Sequence, residues 1–219
     1  MNPYSSNDIY EVFRYSDKEE WRENRIHGIG GSDAAAALGM SKWMSNVDLW
    51  KIKTGRKRQE DISNNPNVKY GTNAEEPLRQ LYTLTVEDRY DVHYRPDTIL
   101  INKQKQFMRY SPDALLIEKE TGRLGIWECK TASAYKLDKK LWKTEIPREY
   151  YIQVLHGMNV TQADFVELQV EINHHGWFER KVFHIERDEV EADLIFEKQS
   201  VQTFMKYIED DKEPPLWIN

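Results

Sequence analysis

The chain has 219 residues, 39% hydrophobic, 31% charged and 12% aromatic, with seven Trp, which excludes a disordered or low-complexity polymer and supplies apolar side chain for one sizeable core. Lys and Arg number 31 against 37 Asp and Glu, a net charge of -6, so a polycation that coats nucleic acid is excluded and any contact with DNA needs a local basic surface or bridging cations. No run approaches the ~20 apolar residues of a membrane span, Met1 to Tyr10 carries no leader pattern, and the single Cys129 rules out an internal disulfide or a Cys-built zinc cage, so a cytosolic protein with no membrane partner is expected.

Ser16 and Glu19 make a capping-box pattern that predicts a helix from Glu19 to about Arg25, broken by Gly28-Ile29-Gly30-Gly31-Ser32. Ser32 and Asp33 then precede Ala34 to Leu38, a run of helix formers closed by Gly39, so a glycine loop feeds a helix N-terminus. Ser45 and Asp48 cap a third helix that stops at Gly55, and Arg56 to Asn67 reads as an exposed loop. A fourth helix is expected to open at Tyr70-Gly71-Thr72-Asn73, which puts Pro77 near its start, where proline is tolerated. Three strand candidates follow, Tyr90 to Tyr94, Thr98 to Ile101 and Phe107 to Ile117, and Gly122 turns the last into Gly125 to Thr131, a meander. A lysine-rich stretch, Tyr135 to Lys143, leads through Pro147 to a helix over Glu149 to Asn159. Val166, Leu168, Val170 and Ile172 alternate with Glu167, Gln169 and Glu171 as a half-buried strand, and the turn His174-His175-Gly176 returns into a strand from Trp177 to Ile185. An amphipathic helix from Asp188 to about Ile208 precedes a proline-containing tail, and no repeat or linker divides the chain, so one domain over 1–219 is expected.

The chemistry concentrates in Ser111-Pro112-Asp113 and Trp127-Glu128-Cys129-Lys130. Side chains two apart on a strand share a face, so Glu128 and Lys130 project together while Cys129 points the other way, into the core. Antiparallel pairing through the Gly122 turn brings Asp113 beside Glu128. Two carboxylates at one end of a sheet, with the Cys129 backbone carbonyl, form a hard-oxygen set suited to Mg²⁺ or Mn²⁺. A lysine beside them completes a centre able to cleave phosphodiesters, because its ammonium can orient water and stabilise developing negative charge. An arbitrary Glu-x-Lys is usually an exposed ion pair. Here Pro-Asp precedes it at hairpin distance, the strand around it is apolar, and an acidic helix comes before both.

That order resembles the PD-(D/E)xK nuclease superfamily, and five segments narrow the resemblance to the lambda exonuclease and YqaJ-like viral recombinase family. They are Trp21-x3-Arg25 with Gly28-Ile29-Gly30-Gly31-Ser32-Asp33, Gly71-x3-Glu75, Ser111-Pro112-Asp113 with Glu128-x-Lys130, Tyr150-x2-Gln153-Val154 with Met158 and Val160-Thr161, and Ile185-Glu186-Arg187-Asp188-Glu189. The resemblance implies an α/β fold, a restriction-endonuclease-like core with a central mixed sheet flanked by helices. It implies a metal-dependent 5′→3′ exonuclease on double-stranded DNA ends, of a phage or prophage recombination system in a bacterial cytoplasm. By the same resemblance Asp113 and Glu128 bind one of two Mg²⁺ (or Mn²⁺) ions, Glu75 supports the second or its waters, Lys130 assists the nucleophile, and Gln153 joins the site. Arg25 and Ser32, with Gly31 beside them, would hold the terminal 5′-phosphate; a glycine turn at a helix N-terminus and an arginine fork suit an anion. A homotrimeric ring and a single-strand annealing partner are likewise implied. Glu76-Pro77 directly after Glu75 leaves open which acid faces the metal.

Other features carry less. His174-His175 sits in a turn where the rings diverge. Lys51, Lys53, Arg56, Lys57 and Arg58 read equally as a solvated helix end or a track for DNA phosphates, as does the series Lys136, Lys139, Lys140 and Lys143. Trp43 and Trp50 read as core, with an exposed Trp43 able to wedge at a DNA end. A sequence- or structure-specific endonuclease on the same core, or a nuclease-fold protein that binds without cutting, are the competing readings.

Overall fold

In the computed structural model, which describes residues 2–134 and 141–217, those residues form eight strands and six helices. In order they are β1 (Tyr10–Arg14), α1 (Lys18–Ile26), α2 (Gly31–Ala37), α3 (Asn46–Lys53), α4 (Pro66–Thr85), β2 (Tyr90–His93), β3 (Thr98–Asn102), β4 (Arg109–Tyr110), β5 (Ala114–Glu118), β6 (Leu124–Ser133), α5 (Arg148–Thr161), β7 (Phe165–His174), β8 (Trp177–Glu186) and α6 (Glu191–Glu209). The main sheet has the order β2-β5-β6-β7-β8, antiparallel except where α5 carries the chain across so that β7 runs parallel to β6. A small antiparallel sheet, β1-β3-β4, stands beside it.

The strands alternate between two cores. Leu115, Ile126, Val166, Leu168 and Val170 face α5, α2 and α6, whereas Leu116, Trp127 and Phe165 face Leu78 and Tyr82 of α4. Glu128 and Lys130 therefore share the α5 face with Ile126, and Cys129 packs with the α4 cluster, as the alternation requires. Helix α5 lies centrally, most of its residues buried. It is pinned to α6 by His156, whose Nδ1 is 2.7 Å from Glu197 Oε1, and by the Asn159 amide, which donates to Glu197 Oε2 at 2.6 Å.

Several expectations are corrected. The first helix is capped by Asp17, which accepts from the Glu19 and Glu20 amides, and not by Ser16; the Ser16 hydroxyl donates to Glu20. Helix α2 begins at Gly31, so Ser32 and Asp33 lie inside its first turn. Helix α4 starts at Pro66 behind an Asn65 cap, which shortens the expected loop and leaves Pro77 in the helix interior. The predicted strand from Phe107 to Ile117 is two strands in two sheets, because Ser111-Pro112 interrupts it and Pro112 has no amide to donate to a ladder. β3 likewise leaves the expected meander for the small sheet. Glu167, Gln169 and Glu171 are buried, not solvated, because side chains from α4, β2 and β8 cover that face of a central strand. Their needs are met by Tyr90, Trp127 and Tyr70, which donate to Glu167, Gln169 and Glu171 respectively.

Candidate active site

The β5–β6 hairpin pairs Ala114 with Trp127, so its next register step sets Asp113 opposite Glu128. Asp113 Oδ2 accepts the Cys129 amide at 2.8 Å. A strand residue directs its N–H and C=O to the same side, so the Cys129 carbonyl leaves β6 toward Asp113, beyond the end of the paired region. Glu128 is 1% exposed and accepts from three neighbours: Lys130 Nζ at 2.6 Å and the Gln153 amide on one oxygen, the Tyr110 hydroxyl on the other. Partial burial and the adjacent Glu128 charge hold the Asp113 carboxyl well above the ordinary carboxylate range. Burial works against the Lys130 ammonium, but Glu128 and Asp113 outweigh it and raise its pKa, so the lysine stays charged.

Glu75, not Glu76, turns toward this pair. Gly71 lies against Thr131 of β6, where a Cβ would come within 3.3 Å, and Glu75 follows one helical turn later on the same face. Burial and then Glu128's charge raise the Glu75 carboxyl, opposed by Arg79, which donates to it at 3.2 Å. Glu76 is exposed and accepts from Gln80. Among the described residues no three carboxylate, imidazole or thiolate groups form a ready-made cage. The convergent donors are the Asp113–Glu128 pair, with Glu75 near enough for its charge to be felt.

Gln153 also borders a cleft of about 160 Å³ lined by Arg25, Gly31, Ser32, Arg109 and Tyr110. Gly31 packs closely there: a Cβ would lie 3.1 Å from Gln153 and 3.2 Å from the Tyr110 ring, so a larger residue would press on both side chains. Arg25 donates to the Ser32 hydroxyl at 2.6 Å and to Asp33 at 3.3 Å. Buried Asp33 is held down to about 2, against its desolvation, by Lys53 and Arg25. It also accepts the Gly30 amide at 3.2 Å, so the helix-end amide expected to face an anion is partly spent on an internal cap. Polar side chains of Arg25, Ser32 and Arg109 line the cleft together with the backbone of Gly30 and Gly31. Arg109 donates to Asn24 and keeps a buried Nε with no hydrogen-bond partner.

Tyr110 and Arg109 escaped the sequence reading. The one local signal was Tyr110's position just before Ser-Pro-Asp, because the contacts of both residues come from the small sheet meeting α5 and α1. The cation run from Lys51 to Arg58 is mostly paired: Lys53 is buried against Asp33, Lys57 meets Asp48, Arg56 meets Asp211, and Lys51 lies 3.9 Å from Glu213. Lys136, Lys139 and Lys140 lie outside the described residues. His174 pairs with Glu179 at 2.9 Å and stacks on Trp177. Trp50 is buried as expected, whereas Trp43 is 61% exposed and is not core. Arg187 donates to the carbonyls of Met158 and Ala163, which makes its motif a clamp on the end of α5. A wider groove of about 750 Å³, lined by Tyr82, Glu167 and His184, opens on the α4 side away from Asp113 and Lys130.

A mixed sheet flanked by helices, with Asp, Glu and Lys at the end of a β-hairpin, defines the PD-(D/E)xK class of fold. The chain belongs to the YqaJ-like viral recombinase domain family, which matches residues 20–164. It is 30% identical over 187 residues to the uncharacterized protein YqaJ of Bacillus subtilis (strain 168), covering 83% of this chain and 54% of that protein, so it spans about half the length of this relative. The alkaline exonuclease LHK-Exo of Laribacter hongkongensis shares the fold with a TM-score of 0.66 at 18% identity, over 89% of this chain and 94% of that one. The structure of LHK-Exo in complex with dAMP superposes with a TM-score of 0.64 at 17% identity, over the same shares.

Proposed function

We propose that this protein is a divalent-metal-dependent exonuclease that enters double-stranded DNA at a 5′-phosphorylated end and cuts 5′→3′ in a phage or prophage recombination system. The observation that carries this reading is the Asp113–Glu128 carboxylate pair locked to a charged Lys130, with an arginine-lined cleft that shares Gln153 with it. The donors fit Mg²⁺ or Mn²⁺. Asp113, the Cys129 carbonyl and Glu128 are hard oxygens, Glu128's three hydrogen bonds leave lone-pair capacity, and two carboxylates held against each other's charge call for a cation. Glu75 would serve a second ion or its waters. A divalent cation there supplies an acidified water and neutralises the phosphate under attack.

The chain's own groups do the rest. Lys130 orients the attacking water and balances charge building on the phosphate. Gln153 and Tyr110 fix Glu128 in place. Arg25 and Ser32 take the terminal phosphate and so set which bond reaches the carboxylates. Water adds to phosphorus, the bond to the 3′-oxygen of the first nucleotide breaks, and that oxygen takes up a proton. The products are a 5′-mononucleotide and a new 5′-phosphorylated end, which the same cleft can accept again. A homotrimeric ring and a single-strand annealing partner belong to this reading through the family resemblance.

Linear duplexes with 5′-phosphate or 5′-hydroxyl ends, incubated with Mg²⁺ or EDTA, test it. Mononucleotides are expected only with Mg²⁺ and first from phosphorylated ends. Full activity in EDTA overturns the mechanism. Internal fragments from circular DNA would indicate the endonuclease, and retention of DNA without products would indicate the binding protein.

A further inference from the structure

Beside the catalytic lysine lies an aromatic patch that neither the carboxylates nor the phosphate cleft uses. Tyr150 precedes Gln153 by three residues on α5, so the two share a helix face about 4.5 Å apart along the axis. Lys130 Nζ stands 5.4 Å from the Tyr150 ring centre. Buried Trp142 stacks on Tyr150 at 5.4 Å, and the Trp43 ring lies 5.7 Å from Tyr150, tilted by 53°. Lys42 Nζ sits 4.6 Å over Trp43 and is tied to Glu149 at the start of α5. The contacts therefore form a chain: Gln153 borders the Arg25–Ser32 cleft and bonds Glu128, Glu128 holds Lys130, Lys130 lies beside Tyr150, and Tyr150 packs on Trp43. Trp43 is 61% exposed although it is braced by Tyr150 and Lys42, so its ring is both held and free to take a partner.

Resting on the nuclease reading above, we infer that Trp43 is a stacking platform for the nucleobase immediately 3′ of the scissile phosphate. With the terminal phosphate in the cleft and the first internal phosphate at Asp113 and Glu128, the strand continues past Lys130 toward Tyr150 and Trp43. A flat π-face next to an ammonium suits a base whose own phosphate is nearby, and it tolerates any base. The ligand is thus the second nucleotide of the strand being cut, unstacked from its duplex neighbours.

The test is a coupling measurement on the full-length protein. Affinity is measured for 5′-phosphorylated duplexes in Ca²⁺, with gels confirming that they stay uncut, carrying an abasic site at nucleotide one, two or three or none. Trp43→Ala should weaken binding of the intact duplex about five- to hundredfold, while Trp43→Phe keeps most of it. Its thermal midpoint should match wild type, because the ring is mostly outside the core. On the duplex abasic at nucleotide two, wild type and Trp43→Ala should bind alike, and at the other positions the loss should persist. An equal loss on every duplex, coupling at another nucleotide, or no loss at all overturns the platform. Wild type that cuts in Mg²⁺ while one of these results holds sinks the platform alone. Wild type that neither cuts in Mg²⁺ nor binds duplex sinks the nuclease reading, and the platform falls with it.

Discussion

Glu128 is the residue on which the site turns, since Lys130, Gln153 and Tyr110 reach it from a strand, a helix and the small sheet. Asp113→Asn, Glu128→Gln and Lys130→Ala should each lower hydrolysis at least about a hundredfold while leaving the circular dichroism spectrum unchanged. Mg²⁺ should raise the thermal midpoint of wild type and leave the two carboxylate variants where they were, because a cation that binds only the folded state stabilises it in proportion to its affinity. A midpoint in Glu128→Gln that climbs with Mg²⁺ as steeply as wild type would remove Glu128 from the metal set. If Arg25 holds the terminal phosphate as proposed, Arg25→Ala should lose about 1.5–3 kcal/mol, or roughly ten- to a hundredfold in the initiation rate on phosphorylated ends. The same variant should digest hydroxyl ends as wild type does; equal initiation by both proteins on phosphorylated ends would detach Arg25 from the phosphate.

At the scale of elements, α5 carries the geometry, because Tyr150 and Gln153 keep their places only while the helix is held on α6. The buried His156 Nε2 donates to the carbonyls of Ile29 and Arg109, at 3.0 and 3.2 Å, which turns Nδ1 toward Glu197 at 2.7 Å. Burial opposes the imidazolium, yet Glu197 and the two carbonyls outweigh it, so its folded pKa lies above 6.5. The stabilisation this gives is complete below about pH 6.5, where the unfolded imidazole is also charged, and is lost as the pH climbs through the folded value. Urea midpoints of wild type should fall as pH is raised above 6.5. His156→Gln should cost about 3–5 kcal/mol at low pH, because Glu197 is left buried without its cation, and should flatten that decline. A variant that kept the wild-type pH slope would assign the slope to other groups.

For the whole molecule, net charge and surface pairing point the same way. At -6, with most of the Lys51 to Arg58 run matched to carboxylates, a lone subunit offers duplex DNA little to hold between cuts. Long digestion then calls for enclosure by a closed ring, which retains its substrate by topology rather than by affinity. Light scattering is expected to give three times 26.1 kDa, and digestion, once begun, to resist a competitor DNA trap. A fully active monomer that is stopped at once by the trap would refute the ring.

What the sequence determined by itself is what depends on near neighbours. Alternation along a strand put Glu128 and Lys130 on one face and Cys129 on the other, and the Gly122 turn paired Asp113 with Glu128, since hairpin register follows from a few residues. The five-segment resemblance added Glu75, Gln153, Arg25 and Ser32; in the structure Gln153 bonds Glu128 and shares one cleft with Arg25 and Ser32, while Glu75 lies near enough to feel the Glu128 charge. Only the tertiary structure decided which sheet a segment joins and what covers its second face. β4 left the meander for β3, which carried Tyr110 onto Glu128 and Arg109 into the cleft. Side chains from α4, β2, β6 and β8 met on that face of β7 and turned an outwardly polar pattern into buried, paired Glu167, Gln169 and Glu171. Trp43 stayed outside while Trp50 went in, though both are tryptophans seven residues apart. Local periodicity says which way a side chain points, and the distant packing of helices and sheets determines whether protein or water awaits it there.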